Sequence, residues 1–80
     1  MNKIKILNKE FELWDMVEVK IRYSYKYSNK FVGHLTGKLQ DDVSGRYYIK
    51  VKISDEEVNM LEDFLWEDEI VSINKLVYEQ

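Results

Sequence analysis

Few side chains in this 80-residue chain have the chemistry for catalysis. His34 is the one imidazole, and the absence of cysteine excludes a thiolate nucleophile, a disulfide and a soft zinc site together. In the local pattern His34 falls on the outward side of a strand, which reads as a surface residue and not a general base. No glycine-rich phosphate loop, nucleophile elbow or His-x-x-x-His pair occurs. Asp41-Asp42 and Glu67-Asp68-Glu69 offer oxygen ligands but lack EF-hand spacing, and they read as turn and cap chemistry. The expectation is a non-enzymatic binding or regulatory module with no catalytic residue, metal site or cofactor.

Charge supplies the stronger signal. Residues 1–53 hold eleven Lys/Arg and six Asp/Glu, whereas residues 54–80 hold one Lys and nine Asp/Glu, within a net charge of −3. Such asymmetry marks an interaction with nucleic acid or a charged protein, or a fold that neutralises itself. In the basic part, Lys20, Arg22, Lys26, Lys38, Arg46, Lys50 and Lys52 share one strand parity with Tyr48 and His34, opposed only by Glu18. Arg22, Lys26, Arg46, Tyr48 and Lys50 are the candidate nucleic-acid or nucleotide binders: the cations neutralise phosphates and the phenol ring stacks on a base. Solvation of a strand face accounts for the same cations more simply.

The acidic part carries Asp55, Glu56, Glu57, Glu62, Asp63, Glu67, Asp68 and Glu69 without an intervening cation. On a helix rising about 1.5 Å per residue, this density approaches the one charge per roughly 1.7 Å of duplex DNA. Glu56, Glu62, Asp63, Glu67 and Asp68 are therefore the candidate contacts to a protein with a basic surface, as an inhibitor that mimics nucleic acid. An ordinary solvated helix, or one laid against the chain's own basic sheet, would carry the same residues.

The elements that position these groups are set by periodicity. Val17, Val19, Ile21, Tyr23, Tyr25 and Tyr27 alternate with polar residues, as do Phe31, Gly33, Leu35, Gly37 and Leu39, and then Tyr47, Ile49, Val51 and Ile53. Three half-buried strands joined by Ser28-Asn29-Lys30 and by Asp41-Asp42-Val43-Ser44-Gly45 form an antiparallel meander with odd-numbered side chains inward. Gly33 and Gly37 on the inward parity allow a bend or a close backbone approach. Ser54-Asp55-Glu56-Glu57 fits a capping box, and Val58, Leu61 and Leu65 with Met60, Phe64 and Trp66 predict a helix over roughly 55–65. Ile70, Val71, Ile73, Leu76 and Val77 predict a closing strand, and Ile4, Ile6, Phe11, Leu13 and Trp14 a short opening strand or lid.

The whole chain reads as one domain, because a chain this short buries only about 60% of its unfolded surface and has material for a single core. Charge interrupts the apolar residues near Met1, and no apolar run approaches the roughly 18 residues of a membrane span. A soluble, cytoplasmic protein is expected, and an exposed edge strand leaves a homodimer open.

Gly33-His34-Leu35-Thr36-Gly37-Lys38-Leu39 and Trp66-Glu67-Asp68-Glu69-Ile70-Val71-Ser72-Ile73 carry a resemblance. Over residues 17–77 the chain resembles Sm-like and SH3-like small barrels, with the flavour of YolD-like proteins of bacilli and their phages. The acidic stretch Asp55 to Asp68 is an insertion relative to that pattern. Together with the periodicity, the resemblance leads to the expectation of a mainly β (α+β) fold: a strongly bent antiparallel five-strand SH3/Sm-like barrel, to which the capping box and apolar stripe add one acidic helix before the last strand. It also implies a phage-like origin.

Overall fold

The computed structural model describes residues 3–25, 28–53 and 61–77. Among these residues the strands are, in chain order, β1 (Lys3–Ile6), β2 (Lys9–Glu12), β3 (Met16–Tyr25), β4 (Ser28–Gln40), β5 (Tyr47–Ile53), β6 (Leu61–Trp66) and β7 (Ile70–Lys75), with a 3-10 turn over Glu67–Glu69. β1 and β2 pair as a separate hairpin, and the other five form one antiparallel sheet in the order β6-β5-β4-β3-β7.

The hairpin turns on Leu7 and Asn8, whose φ values of 49° and 66° give the doubly left-handed turn that matches the twist of tightly connected strands. Ile6 and Phe11 enter the same core as Val17, Val19, Ile21, Phe31, Leu35, Ile49, Val51, Leu65, Ile70 and Ile73. The opening segment is thus a lid on the inner sheet face, and Lys9 secures it by donating from Nζ to Ile73 O (3.1 Å) and Asn74 Oδ1 (2.7 Å).

The sheet must curl. Its edge strands β6 and β7 are joined only by Glu67–Glu69. Four residue steps from Trp66 to Ile70 span at most about 14 Å, whereas four strand spacings across a flat sheet are about 19 Å. Among the described residues no ladder joins β6 to β7, so the expected strongly bent five-strand barrel is corrected to an open five-stranded sheet plus a separate hairpin. Gly33 serves the close approach read from its parity: a Cβ there would lie 2.6 Å from Lys52 O. Gly37 does not, since the nearest atom to a Cβ would be Lys50 Cδ at 3.8 Å.

Inward parity holds at Val17, Val19, Ile21, Phe31, Leu35, Ile49 and Val51, and fails beyond two irregularities. Between Leu35 and Gly37 the β4–β5 register shifts, after which Lys38 pairs with Ile49 and Leu39 with Tyr48. An extra residue in one strand turns the subsequent side chains over. Lys38 consequently leaves the outward cations for the inner face, where its Nζ donates to Lys5 O (2.5 Å) and Glu67 Oε2 (2.9 Å), while Leu39 is exposed. A second shift comes after Lys20, and Tyr23 is exposed with its hydroxyl 3.1 Å from Glu69 Oε1.

The helix over 55–65 is also corrected where it can be seen. Leu61–Trp66 is a strand in register with β5, pairing Ile53 with Leu61 through Tyr48 with Trp66. Residues 54–60, including the capping box, lie outside the described residues. Asp63 hides the alternation: it occupies an inward position opposite Val51, so a buried carboxylate stands where period two calls for an apolar residue. Among the described residues no helix is long and apolar enough to cross a membrane.

Candidate functional site

The outer face of β5 and β6 carries an aromatic group that a solvated sheet does not require. Register pairing sets Tyr48 beside Trp66, Lys50 beside Phe64 and Lys52 beside Glu62. Tyr48 meets Phe64 and Trp66 edge-on, with centroid separations of 5.7 and 5.8 Å, the arrangement that ring quadrupoles favour. The three rings line an open depression of about 300 Å³, and Phe64 is 55% exposed. Leu39, turned outward by the bulge, is Tyr48's partner on the other side.

Arg46 flanks this group. It leaves a tight turn in which Gly45 N donates to Asp41 O (2.8 Å), Gly45 takes φ 76°, and the Ser44 hydroxyl donates to Asp41 Oδ2 (2.6 Å). The Ser44 hydroxyl holds the Asp41 carboxyl below its usual range. Arg46 Cζ lies 4.1 Å from the Trp66 ring centroid, and Nε and Nη2 donate to Asp68 Oδ2 (2.8 Å) and Oδ1 (2.7 Å). This fork raises the guanidinium further above its ordinary value and lowers the Asp68 carboxyl.

At the far end of β5, Lys52 pairs in register with His34, and Lys52 Nζ stands 5.8 Å from the Trp14 ring centroid. Trp14 and His34 have centroids 6.4 Å apart. The face therefore runs from Arg46 and the three rings, past Lys50 and Lys52, to a separate indole.

The sequence-derived candidates divide accordingly. Arg46, Tyr48 and Lys50 come together. Arg22 is exposed on β3, two strands from β5, and Lys26 lies outside the described residues. Of the acidic set, Glu56 and the Glu62 side chain lie outside what is described. Asp63 is 5% exposed, which corrects its reading as a presented carboxylate. Glu67 is bound by Lys38 and Asp68 by Arg46, so these two acids neutralise the chain's own cations. Among the described residues no group of three or more His, Cys, Asp or Glu is placed to hold a metal ion.

No family model, curated protein or solved structure matches this chain. Its function must therefore be read from the surface itself. Sequence reasoning misses Phe64 and Trp66 as site residues because it assigns them to a helix stripe. Their shared even parity, opposite to Leu61 and Leu65, is the signal that could find them.

Proposed function

We propose that the protein is a non-enzymatic module that binds single-stranded nucleic acid across the outer face of β5 and β6. The observation that carries this reading is the Tyr48–Phe64–Trp66 group, with Phe64 exposed and Tyr48 and Trp66 half-buried, set among Arg46, Lys50 and Lys52. Such rings lose solvent-exposed apolar area when a base lies on them, and the lysines match the phosphates of the same strand. A duplex keeps its base faces stacked inside, so this chemistry selects splayed bases. The strand order, with a 3-10 turn joining the two edge strands, supports placing the scaffold among SH3/Sm-like small barrels, left open between β6 and β7. The alternative, an acidic surface offered to a basic protein, has less support because Glu67 and Asp68 are already engaged and Asp63 is buried.

Fluorescence anisotropy with labelled single- and double-stranded oligonucleotides at low salt tests the proposal. The single strand binds more tightly, and Phe64→Ala weakens it about 5- to 160-fold, the range of one base–aromatic stack of about 1–3 kcal/mol. No binding, equal binding of the duplex, or an unaffected Phe64→Ala variant refutes it.

A further inference from the structure

Trp14 stands at the far end of this face, exposed and with a strained backbone. It is 56% exposed and its backbone is left-handed at φ 71°, a conformation that costs any residue with a Cβ and that short polar residues or glycine usually fill. The turn that imposes it is fastened on several sides. Asp15 N donates to Glu12 O (3.1 Å), Asp15 Oδ2 accepts from Glu12 N (2.8 Å), Trp14 N donates to Leu35 O (2.7 Å), and Leu35 N donates to Asp15 O (2.9 Å). These bonds hold an indole in the open, where burial repays little of the strain. Backbone strain kept in place by surrounding structure is a mark of functional positions.

Its location gives the strain a use. The indole stands beside Lys52 and His34, which are cross-strand partners on the face that carries Lys50, Tyr48 and Phe64. From Tyr48 to Lys52 is four residues of strand, about 13 Å. An aromatic platform thus lies at each end of a two-lysine track along β5.

We infer that Trp14 is a second base-stacking platform, so that the site takes an oligonucleotide laid along β5 and not a mononucleotide. One end of the strand stacks on Phe64 and Tyr48, the backbone passes Lys50 and Lys52, and a later base covers the Trp14 indole. This rests on the single-strand reading proposed above. It goes further by fixing the minimum length of the ligand and the axis along which it lies.

The test uses Trp66→Phe, which keeps a ring at that position and leaves Trp14 as the protein's only tryptophan. The protein is titrated with a labelled oligo-dT of about twelve nucleotides, within the usual range for a small single-strand-binding domain. Anisotropy of the label reports binding and indole emission reports stacking. The expected result is quenching of Trp14 in step with the anisotropy, together with about 5-fold or greater weakening in Trp14→Ala. Binding by anisotropy with unchanged Trp14 emission at saturation overturns the Trp14 platform and leaves the Phe64 site standing. Absence of binding by anisotropy in the unaltered protein, titrated in parallel, overturns both.

Discussion

Arg46 and Asp68 make a two-point contact across the end of the sheet, Nε and Nη2 each donating to one carboxylate oxygen, while Trp66 backs the guanidinium at 4.1 Å. A phosphate would use the same fork. Asp68 therefore competes with any nucleic-acid strand for Arg46, and the acidic turn sets a limit on affinity. Asp68→Ala is expected to tighten single-strand binding severalfold. It should also steepen the plot of log affinity against log salt by about 0.7, the contribution of one further phosphate contact on a single strand. Anisotropy titrations over a salt series check both, and an unchanged slope would show that Arg46 stays on Trp66 without reaching the ligand.

The same contact has a pH signature. Arg46 lowers the Asp68 carboxyl, chiefly by its hydrogen bonds, and the Ser44 hydroxyl lowers Asp41. A carboxyl depressed in the folded state stabilises fully above its unfolded value of about 3.9, and that contribution fades as pH falls through the lower folded value. Carbon-13 titration of the side-chain carboxyls should find both residues protonating below the ordinary aspartate range. Arg46→Ala should return mainly Asp68 to that range and Ser44→Ala mainly Asp41. A normal Asp68 titration in the unaltered protein would mean that the fork does not persist in solution.

Two glycines of β4 separate a packing requirement from a permissive site. A Cβ on Gly33 would meet Lys52 O at 2.6 Å and Val51 Cγ1 at 2.8 Å, so the β4–β5 backbones would have to part. Gly33→Ala is expected to cost about 2 kcal/mol or more, as overpacking against an unyielding neighbour does. Gly37→Ala meets only the flexible Lys50 stem at 3.8 Å and should be neutral or stabilising by about 0.5 kcal/mol, since alanine restricts the unfolded chain. Urea denaturation of the two variants measures the difference. Equal stabilities would remove the close approach at Gly33.

The meander and its middle are legible in the sequence. Val17 to Ile21, Phe31 to Leu35 and Ile49 to Val51 alternate because one face is buried, and the structure buries that face. Lys38, Leu39 and Tyr23 cannot be placed from alternation, because a register shift leaves no mark in the periodicity before it and reverses the side chains after it. The segment Leu61–Trp66 misleads for a different reason. Leu61 and Leu65 satisfy a helical stripe and a strand equally, and Asp63, the residue that would have decided, is a buried carboxylate. Pairing with β5 settles it through tertiary contacts that local propensity does not contain. The site is lost with the segment: once Phe64 and Trp66 belong to a helix, Tyr48 has no aromatic neighbours. The self-neutralising reading of the charge asymmetry is realised at Lys38–Glu67 and Arg46–Asp68.

Strain at Trp14 separates stability from binding. A left-handed residue with a Cβ costs about 1–2 kcal/mol relative to glycine, and the φ of 71° puts Trp14 in that region. Trp14→Ala and Trp14→Gly remove the same indole, so any contribution from its contact with Lys52 and His34 cancels between them. Only the backbone preference remains. The glycine variant is therefore expected to be the more stable of the two by about 1 kcal/mol, while both bind single strands equally weakly. Denaturant unfolding and anisotropy read the two quantities on the same samples. An alanine variant as stable as the glycine variant would show that the turn relaxes out of the left-handed region once the indole is gone. In that case the Trp14 side chain, and not the bonds of Glu12, Asp15 and Leu35, holds the turn in place.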